Sequence, residues 1–228
     1  MNDGLRPRRA PRLASGSAIR TAAARLFLEK GYQGTSMDEI AAAARISKQT
    51  IYTHFASKDE LFADLVLGNA ERVEQFTENL QATFRRADGL EAGLRAVARQ
   101  YVSFVVRPEV IQLRRLVIGE AGRFPELART YYERVPERVY AALASLFEAL
   151  ASEGVLRVDD AMLAAHHFAW LSLGMPLDRG MFLPVGESLS KAKLEKGADL
   201  AVRVFTAAYG AARTQLGVSE VAKAQESL

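Results

Sequence analysis

Cysteine is absent from the 228 residues. Disulfides and thiolate metal sites are therefore excluded, and the composition fits a reducing cytoplasm. No apolar run approaches the roughly 20 residues needed to cross a bilayer. The arginine-rich N-terminus has no apolar stretch behind it that would make a secretory signal. These absences lead us to expect a cytoplasmic protein with no membrane partner. Histidine is scarce, with only His54, His166 and His167. The adjacent pair would project about 100° apart on a helix, too divergent to chelate one ion easily. There is no glycine-rich phosphate loop and no nucleophile elbow, and Asp159 and Asp160 are adjacent rather than spaced as an acid/base pair. Catalytic residues, metal ligands and a cofactor are not expected. From Leu90 onward any glycine-flanked segment of alternating polarity is also missing, so strands are not expected there and the chain reads as all-α.

What is present is ordinary in amount and uneven in placement. Hydrophobic residues make up 49% and charged residues 25%, usual for a soluble globular protein, and the length allows one or two domains with a substantial core. The net charge is +3, but Arg6, Arg8, Arg9, Arg12, Arg20 and Arg25 face only Asp3 within the first 25 residues. The rest of the chain is slightly acidic. Positive charge crowded at one end is the pattern of a segment that meets phosphates. Gly4, Pro7 and Pro11 point to a disordered basic arm over 1–14.

Residues 35–62, TSMDEIAAAARISKQTIYTHFASKDELF, contain three helix starts. Ser36 with Glu39, and Ser57 with Glu60, have the spacing of capping boxes, and Ser47 can cap a helix between them. In the first short helix Met37, Ile40, Ala41 and Ala44 fall on one apolar face. In the second, Ile51 and Phe55 share a face and leave Lys48, Gln49, Thr50, Tyr52, Thr53 and His54 mostly outward. So short a helix is held by packing rather than by itself, and what it presents are donors and acceptors without a carboxylate. Two short helices joined by a tight turn, the second polar outside, make a helix-turn-helix able to enter the DNA major groove.

The run from Ala18 to Leu65 resembles the DNA-binding domain of the tetracycline-repressor (TetR) family. The resemblance is carried by Ile19, Ala23, Leu26, Phe27, Gly31-Tyr32, Thr35-Ser36, Ile40-Ala41, Ile46-Ser47-Lys48, Ile51-Tyr52, His54-Phe55 and Lys58-Asp59-Glu60-Leu61. One departure is Arg45, where the family usually has glycine in the turn before the reading helix. A weaker likeness to the ligand domain of one branch of the family covers Arg115 to Arg134. The resemblance implies a ligand-responsive repressor that binds a palindromic operator in double-stranded DNA as a homodimer and is released by a small, largely apolar effector. Lys48 and Gln49 are expected at base edges, with Thr50 near a thymine methyl. Thr35, Tyr52, Thr53, His54 and Lys58 are expected at phosphates. An activator, or a helical protein that binds DNA non-specifically, is the alternative.

The domain expectation is a helix-turn-helix DNA-binding domain over 15–62, an effector-binding and dimerisation domain over 63–216, and a frayed tail over 217–228. Ser15 or Ser17 is expected to open the first helix and Gly31 to close it. The helix from Lys58 is expected to run unbroken to about Arg86. Helices follow over Leu94–Val105, Val110–Ala121 and Val139–Ala151, with Pro125 and Pro136 as restart points. A helix capped at Asp159 or Asp160 should run through Leu173, and the glycines and prolines of 174–190 read as a loop. The Leu194 to Ala212 stripe marks a last helix. Its alanines, with the 161–173 helix, mark the expected dimer surface, given as 161–173 with 191–213. Among the aromatics of this half, Phe104, Phe124, Phe147 and Trp170 are the candidate pocket residues, and Arg114 and Glu120 can lie in the pocket or on the surface.

Overall fold

The structure is a computed structural model that describes residues 10–68, 70–184, 187 and 189–211. Among these residues eleven helices follow in order: α1 Ala10–Lys30, α2 Met37–Ala43, α3 Lys48–His54, α4 Lys58–Leu67, α5 Ala70–Arg85, α6 Leu90–Val105, α7 Pro108–Gly119, α8 Pro125–Arg134, α9 Pro136–Ser152, α10 Ala161–Phe182 and α11 Lys191–Tyr209. No strand occurs among the described residues. A single antiparallel bridge, Leu156 with Gly210, ties the end of α11 to the α9–α10 connection. None of these helices is long and apolar enough to cross a membrane.

The head is α1 to α4, closed on Ile19, Ala23, Leu26, Phe27, Tyr32, Ile40, Ile51, Leu61 and Phe62, all buried. In the body α5, α6, α9, α10 and α11 pack on one another, while α7 and α8 reach the head by touching α1 and α4. Phe147, Phe168 and Phe205 interlock at the centre of the body, with ring centroids 4.9 to 5.4 Å apart.

Several expectations change. The first helix begins at Ala10, not at Ser15 or Ser17, so residues 10–14 are helical rather than part of a disordered arm. Pro11 falls in the first turn, where the missing N–H has no intrahelical role. Residues 1–9 and 212–228, which hold the rest of the arm and the tail, lie outside the described residues. The long helix expected from Lys58 to Arg86 is two helices, because Gly68 caps α4 and α5 begins at Ala70; glycine costs about 1 kcal/mol inside a helix. Finally, the loop expected over 174–190 is helical as far as Phe182, with Pro176 inside α10.

Tertiary contacts explain that last difference. Gly180 lets α10 meet α7 so closely that a Cβ there would lie 2.8 Å from Ile111 Cδ1. Arg115 of α7 donates from Nε to the Gly180 carbonyl at 2.8 Å and from its terminal nitrogen to the Gly180 and Leu183 carbonyls. A guanidinium on the open carbonyls of a helix end supplies what the helix cannot, and suits the negative end of its dipole. The glycine that reads locally as a breaker is thus required by the α7 contact.

Candidate functional site

Each short helix starts as its serine dictates. Ser36 accepts from the Glu39 amide while Glu39 returns to the Ser36 amide, completing a capping box. Lys30 reaches the same carboxylate at 2.8 Å. Its hydrogen bond, followed by those from Ser36, holds the Glu39 pKa down at about 2. Ser47 accepts from the Thr50 amide at 3.1 Å and Ser57 from that of Glu60 at 3.1 Å. Between α2 and α3 the Ile46 amide bonds the Ala41 carbonyl at 3.0 Å and the Arg45 amide that of Ala42 at 3.1 Å. This is a Schellman turn, whose penultimate residue must be left-handed. Arg45 holds that place with φ 56°, the only non-glycine residue with positive φ among those described.

Ile51 is fully buried and Phe55 nearly so. With these two anchored, Lys48, Gln49, Tyr52 and Thr53 are exposed along one edge, and the exposed Arg45 stands at its start. Lys48 Nζ donates to Asp38 at 2.9 Å, and that bond raises its pKa. Both partners are mostly solvent-exposed, so the pair is screened by water and readily broken. Thr53 donates to the Gln49 carbonyl, and the Thr50 and Ser47 hydroxyls share a hydrogen bond of 2.8 Å.

Three expected contact residues are placed differently. Thr35 is buried, and its hydroxyl donates to the Gly31 and Leu26 carbonyls at the end of α1. It closes a helix end and does not face a phosphate. His54 turns toward α1, with Nε2 2.7 Å from Ser15 Oγ. Lys58 Nζ donates to the Tyr32 carbonyl at 2.9 Å and the Thr35 carbonyl at 2.7 Å, and lies 4.2 Å from the centre of the Tyr32 ring. It braces the α1–α2 connection against α4, leaving one proton for a phosphate. Local spacing cannot show any of these turns inward, because all three partners lie on other elements.

Tyr32 joins the head to the body. Its hydroxyl donates to Asp59, and burial, then that bond, pushes its pKa up to about 12. Phe124, the cap residue of α8, meets Tyr32 edge-on at 5.0 Å and Phe62 at 5.4 Å. Arg123 lies 4.9 Å from the Tyr32 ring centre. Phe124 is therefore a head contact and does not line the cavity.

That cavity, about 660 Å³, lies where α1 and α4 of the head face α7 and α8 of the body. Arg20, Thr21, Asp64 and Gly68 line it from the head; Phe104, Leu113, Tyr131 and Val135 line it from the body. Its size is that of a small-molecule site. Arg20 bonds Asp64 bidentately at 2.7 and 3.2 Å and so ties α1 to α4 along its wall. Of the four aromatics expected in a pocket, Phe104 alone lines it, stacked on Phe76 at 4.3 Å. Phe147 is 0% exposed and belongs to the core, held by Phe168 and Phe205. Trp170 is 55% exposed and stands on the outer side of α10. Tyr131, another aromatic of this half that could line a cavity, does line it; Val135, four residues on, and Leu113 of α7 are among the pocket residues that sequence reasoning missed, the helical spacing of Val135 from Tyr131 being the available signal.

Trp170 is one of a set. Leu163, Leu171 and Met175 of α10 and Leu200 and Val204 of α11 are also exposed, and Phe182 is 80% exposed. On the two expected dimer helices these side chains form an uncovered apolar face, which on α10 extends past Leu173 to Phe182. Residues 212 and 213 of that expectation lie outside the described residues.

Comparison with known proteins places the chain among bacterial regulators. Residues 19–65 match the family described as bacterial regulatory proteins, tetR family. Residues 92–211 match the family described as AefR-like transcriptional repressor, C-terminal domain. A TetR-family transcriptional regulator from Mesorhizobium loti is 38% identical, covers 90% of this chain and all of its own, and superposes with a TM-score of 0.80. The flavonoid-responsive regulator FrrA is 33% identical over 86% of this chain and 97% of its own, with a TM-score of 0.63. The HTH-type transcriptional activator FasR of Mycolicibacterium smegmatis is 30% identical over 100 residues, a match that spans only 44% of either protein.

Proposed function

Since this chain belongs to the TetR family of DNA-binding transcriptional regulators, we propose that it is a ligand-responsive repressor, binding a palindromic operator as a homodimer and leaving it when a small molecule enters the cavity beside α4. The observation that carries this reading is the α3 edge. Lys48, Gln49, Tyr52 and Thr53 project from a seven-residue helix pinned by Ile51 and Phe55, with Arg45 beside them. A lysine or glutamine at a base edge discriminates by about 1 to 3 kcal/mol per good pair. One such head makes few specific contacts, so two heads on a two-fold axis are needed for a unique site.

The uncovered apolar face of α10 and α11 is the surface through which a second copy is recruited. Exposed apolar clusters of this kind mark association sites. The release step follows from the cavity's position. Its walls include Arg20 and Asp64, the pair that holds α4 to α1, and Gly68, where α4 ends. A ligand that binds better when these walls are apart shifts the population toward a different α4 angle and a different spacing of the two heads. The flavonoid response of FrrA supports a small-molecule trigger for a chain of this shape.

The test is selection of bound sequences from random DNA by the full chain, followed by gel shifts on the selected site. A two-fold symmetric consensus is expected. Gln49→Ala should relax preference at one base pair per half-site, and Lys48→Ala should do so at a neighbouring one. Retention of random DNA that depends on salt but never yields a symmetric consensus would reject the operator reading.

A further inference from the structure

The effector domain holds a positive charge with no carboxylate against it among the described residues. Arg114 lies on α7, and its Nε is shielded from solvent with no hydrogen-bond partner. Arg95 also has a shielded, unpartnered Nε, but its guanidinium pairs with Glu91 at 2.5 Å. Arg114 takes part in none of the ion pairs found among the described residues. Its surroundings are phenolic. Tyr101 of α6, Tyr131 of α8 and Tyr140 of α9 are each at least 94% buried. Burial pushes up the pKa of all three, and the charge on Arg114 works against that rise in each. The Tyr140 ring lies against His166 of α10, with centroids 4.3 Å apart.

This cluster holds more donors than acceptors. A guanidinium offers five N–H groups and no acceptor, and each phenol adds one O–H and one accepting oxygen; Tyr131 already bonds Arg114, and Tyr101 bonds Tyr140. Half-burying a guanidinium without a counter-charge is costly, and selection for a stable fold alone would favour an apolar side chain of similar volume there. Tyr131 is also part of the wall of the 660 Å³ cavity. Of the arginines that line that cavity, Arg20 is paired with Asp64, and Arg107 lies over the Phe104 ring at 5.0 Å; Glu109 lines it as well. Arg114 is not part of that lining and reaches it through Tyr131, to which it is hydrogen-bonded.

We propose that Arg114, with the hydroxyls of Tyr101, Tyr131 and Tyr140, receives the carboxylate of an organic acid effector whose apolar part occupies the cavity lined by Phe104, Leu113 and Val135. This rests on the effector-responsive reading above and narrows its ligand from any apolar molecule to an acid. The carboxylate supplies the countercharge that the protein omits and further acceptors for the guanidinium, in a site where a charge-assisted, two-pronged bond is strong.

The test uses the full chain without DNA. Benzoate, cinnamate and hexanoate are compared with benzamide, cinnamamide and hexanamide by thermal shift and titration calorimetry. At least one acid should raise the melting temperature in a saturable way while its amide does not. Arg114→Met should weaken that binding by at least about 30-fold and leave the melting temperature of the unliganded protein unchanged or higher. A purely structural arginine would instead lower it. Tyr131→Phe, which keeps the ring, should weaken the acid severalfold. Amides that bind as well as acids, acid binding that survives Arg114→Met, or no response to any acid would each overturn the proposal. Operator release is scored separately. Release by a neutral compound would keep the responsive-regulator reading and reject the acid. Arg114-dependent acid binding with no effect on DNA would do the reverse.

Discussion

Arg45 offers a way to separate folding from DNA binding at one residue. It is the left-handed position of the Schellman turn between α2 and α3, at φ 56°, and its side chain is exposed at the start of the reading helix. For a non-glycine residue that conformation costs about 1 to 2 kcal/mol. Glycine removes the cost but makes the unfolded chain more flexible, which offsets about 0.4 to 1 kcal/mol of the gain. Arg45→Gly should therefore be as stable as the parent or up to about 1 kcal/mol more stable. Arg45→Ala keeps the strain and should fall about 1 kcal/mol below Arg45→Gly, roughly 2 to 4 °C in a chain of this size. Both variants remove the same cation. Fluorescence anisotropy on the selected operator at several salt concentrations should show weaker binding for both. For every phosphate that the protein ceases to neutralise, the log–log salt dependence flattens by about 0.9. Equal thermal stability of the glycine and alanine variants would refute the left-handed turn. If the exposed Arg45 cation meets a phosphate the slope flattens; an unchanged salt slope would show that it does not.

Tyr32 carries a pH signature. Its folded pKa of about 12 lies above the unfolded value near 10, so the folded state holds the proton longer. The hydroxyl's contribution is complete below pH 10 and is lost as pH rises toward 12. Denaturation midpoints should fall more steeply across that window in the parent than in Tyr32→Phe, and parallel profiles would reject the assignment. Phe124→Ala removes a half-buried ring from Tyr32 and Phe62, which should cost about 1.5 to 3 kcal/mol and uncouple operator affinity from effector. A variant that melts as the parent does would show that the α8 cap is not a joint. The single tryptophan stands on the proposed dimer face, so dilution should red-shift its emission as the dimer dissociates. A spectrum unchanged across the change in sedimentation would place that face elsewhere.

The helix-turn-helix was legible in the sequence because its determinants are local. A serine three residues before a glutamate, an apolar residue every third or fourth position and a glycine after the last turn act within a few residues of one another, so spacing alone decides helix starts, core face and outward edge. The all-α class, the α2 and α3 starts and the anchors Ile51 and Phe55 follow from these; the family comes from the resemblance of the run as a whole. Arg45 shows where this stops: an arginine gives no local sign of positive φ, the turn is flagged only by the glycine usual there in the resembling family, and the structure has φ 56° at that place.

What only the tertiary structure decided are the choices made by partners distant in sequence. Lys58 bonds carbonyls more than 20 residues away, and Thr35 and His54 turn toward α1. Phe124 caps a body helix yet packs on the head. Pro176 and Gly180 stay helical because α7 brings an arginine to their helix end. Aromatic residues alone do not distinguish core, joint, cavity and dimer face, since each buries a ring as well as the others do. Only the packed chain sends Phe147 to the first, Phe124 to the second, Phe104 to the third and Trp170 to an outer face, because burial is a property of neighbours and not of the residue.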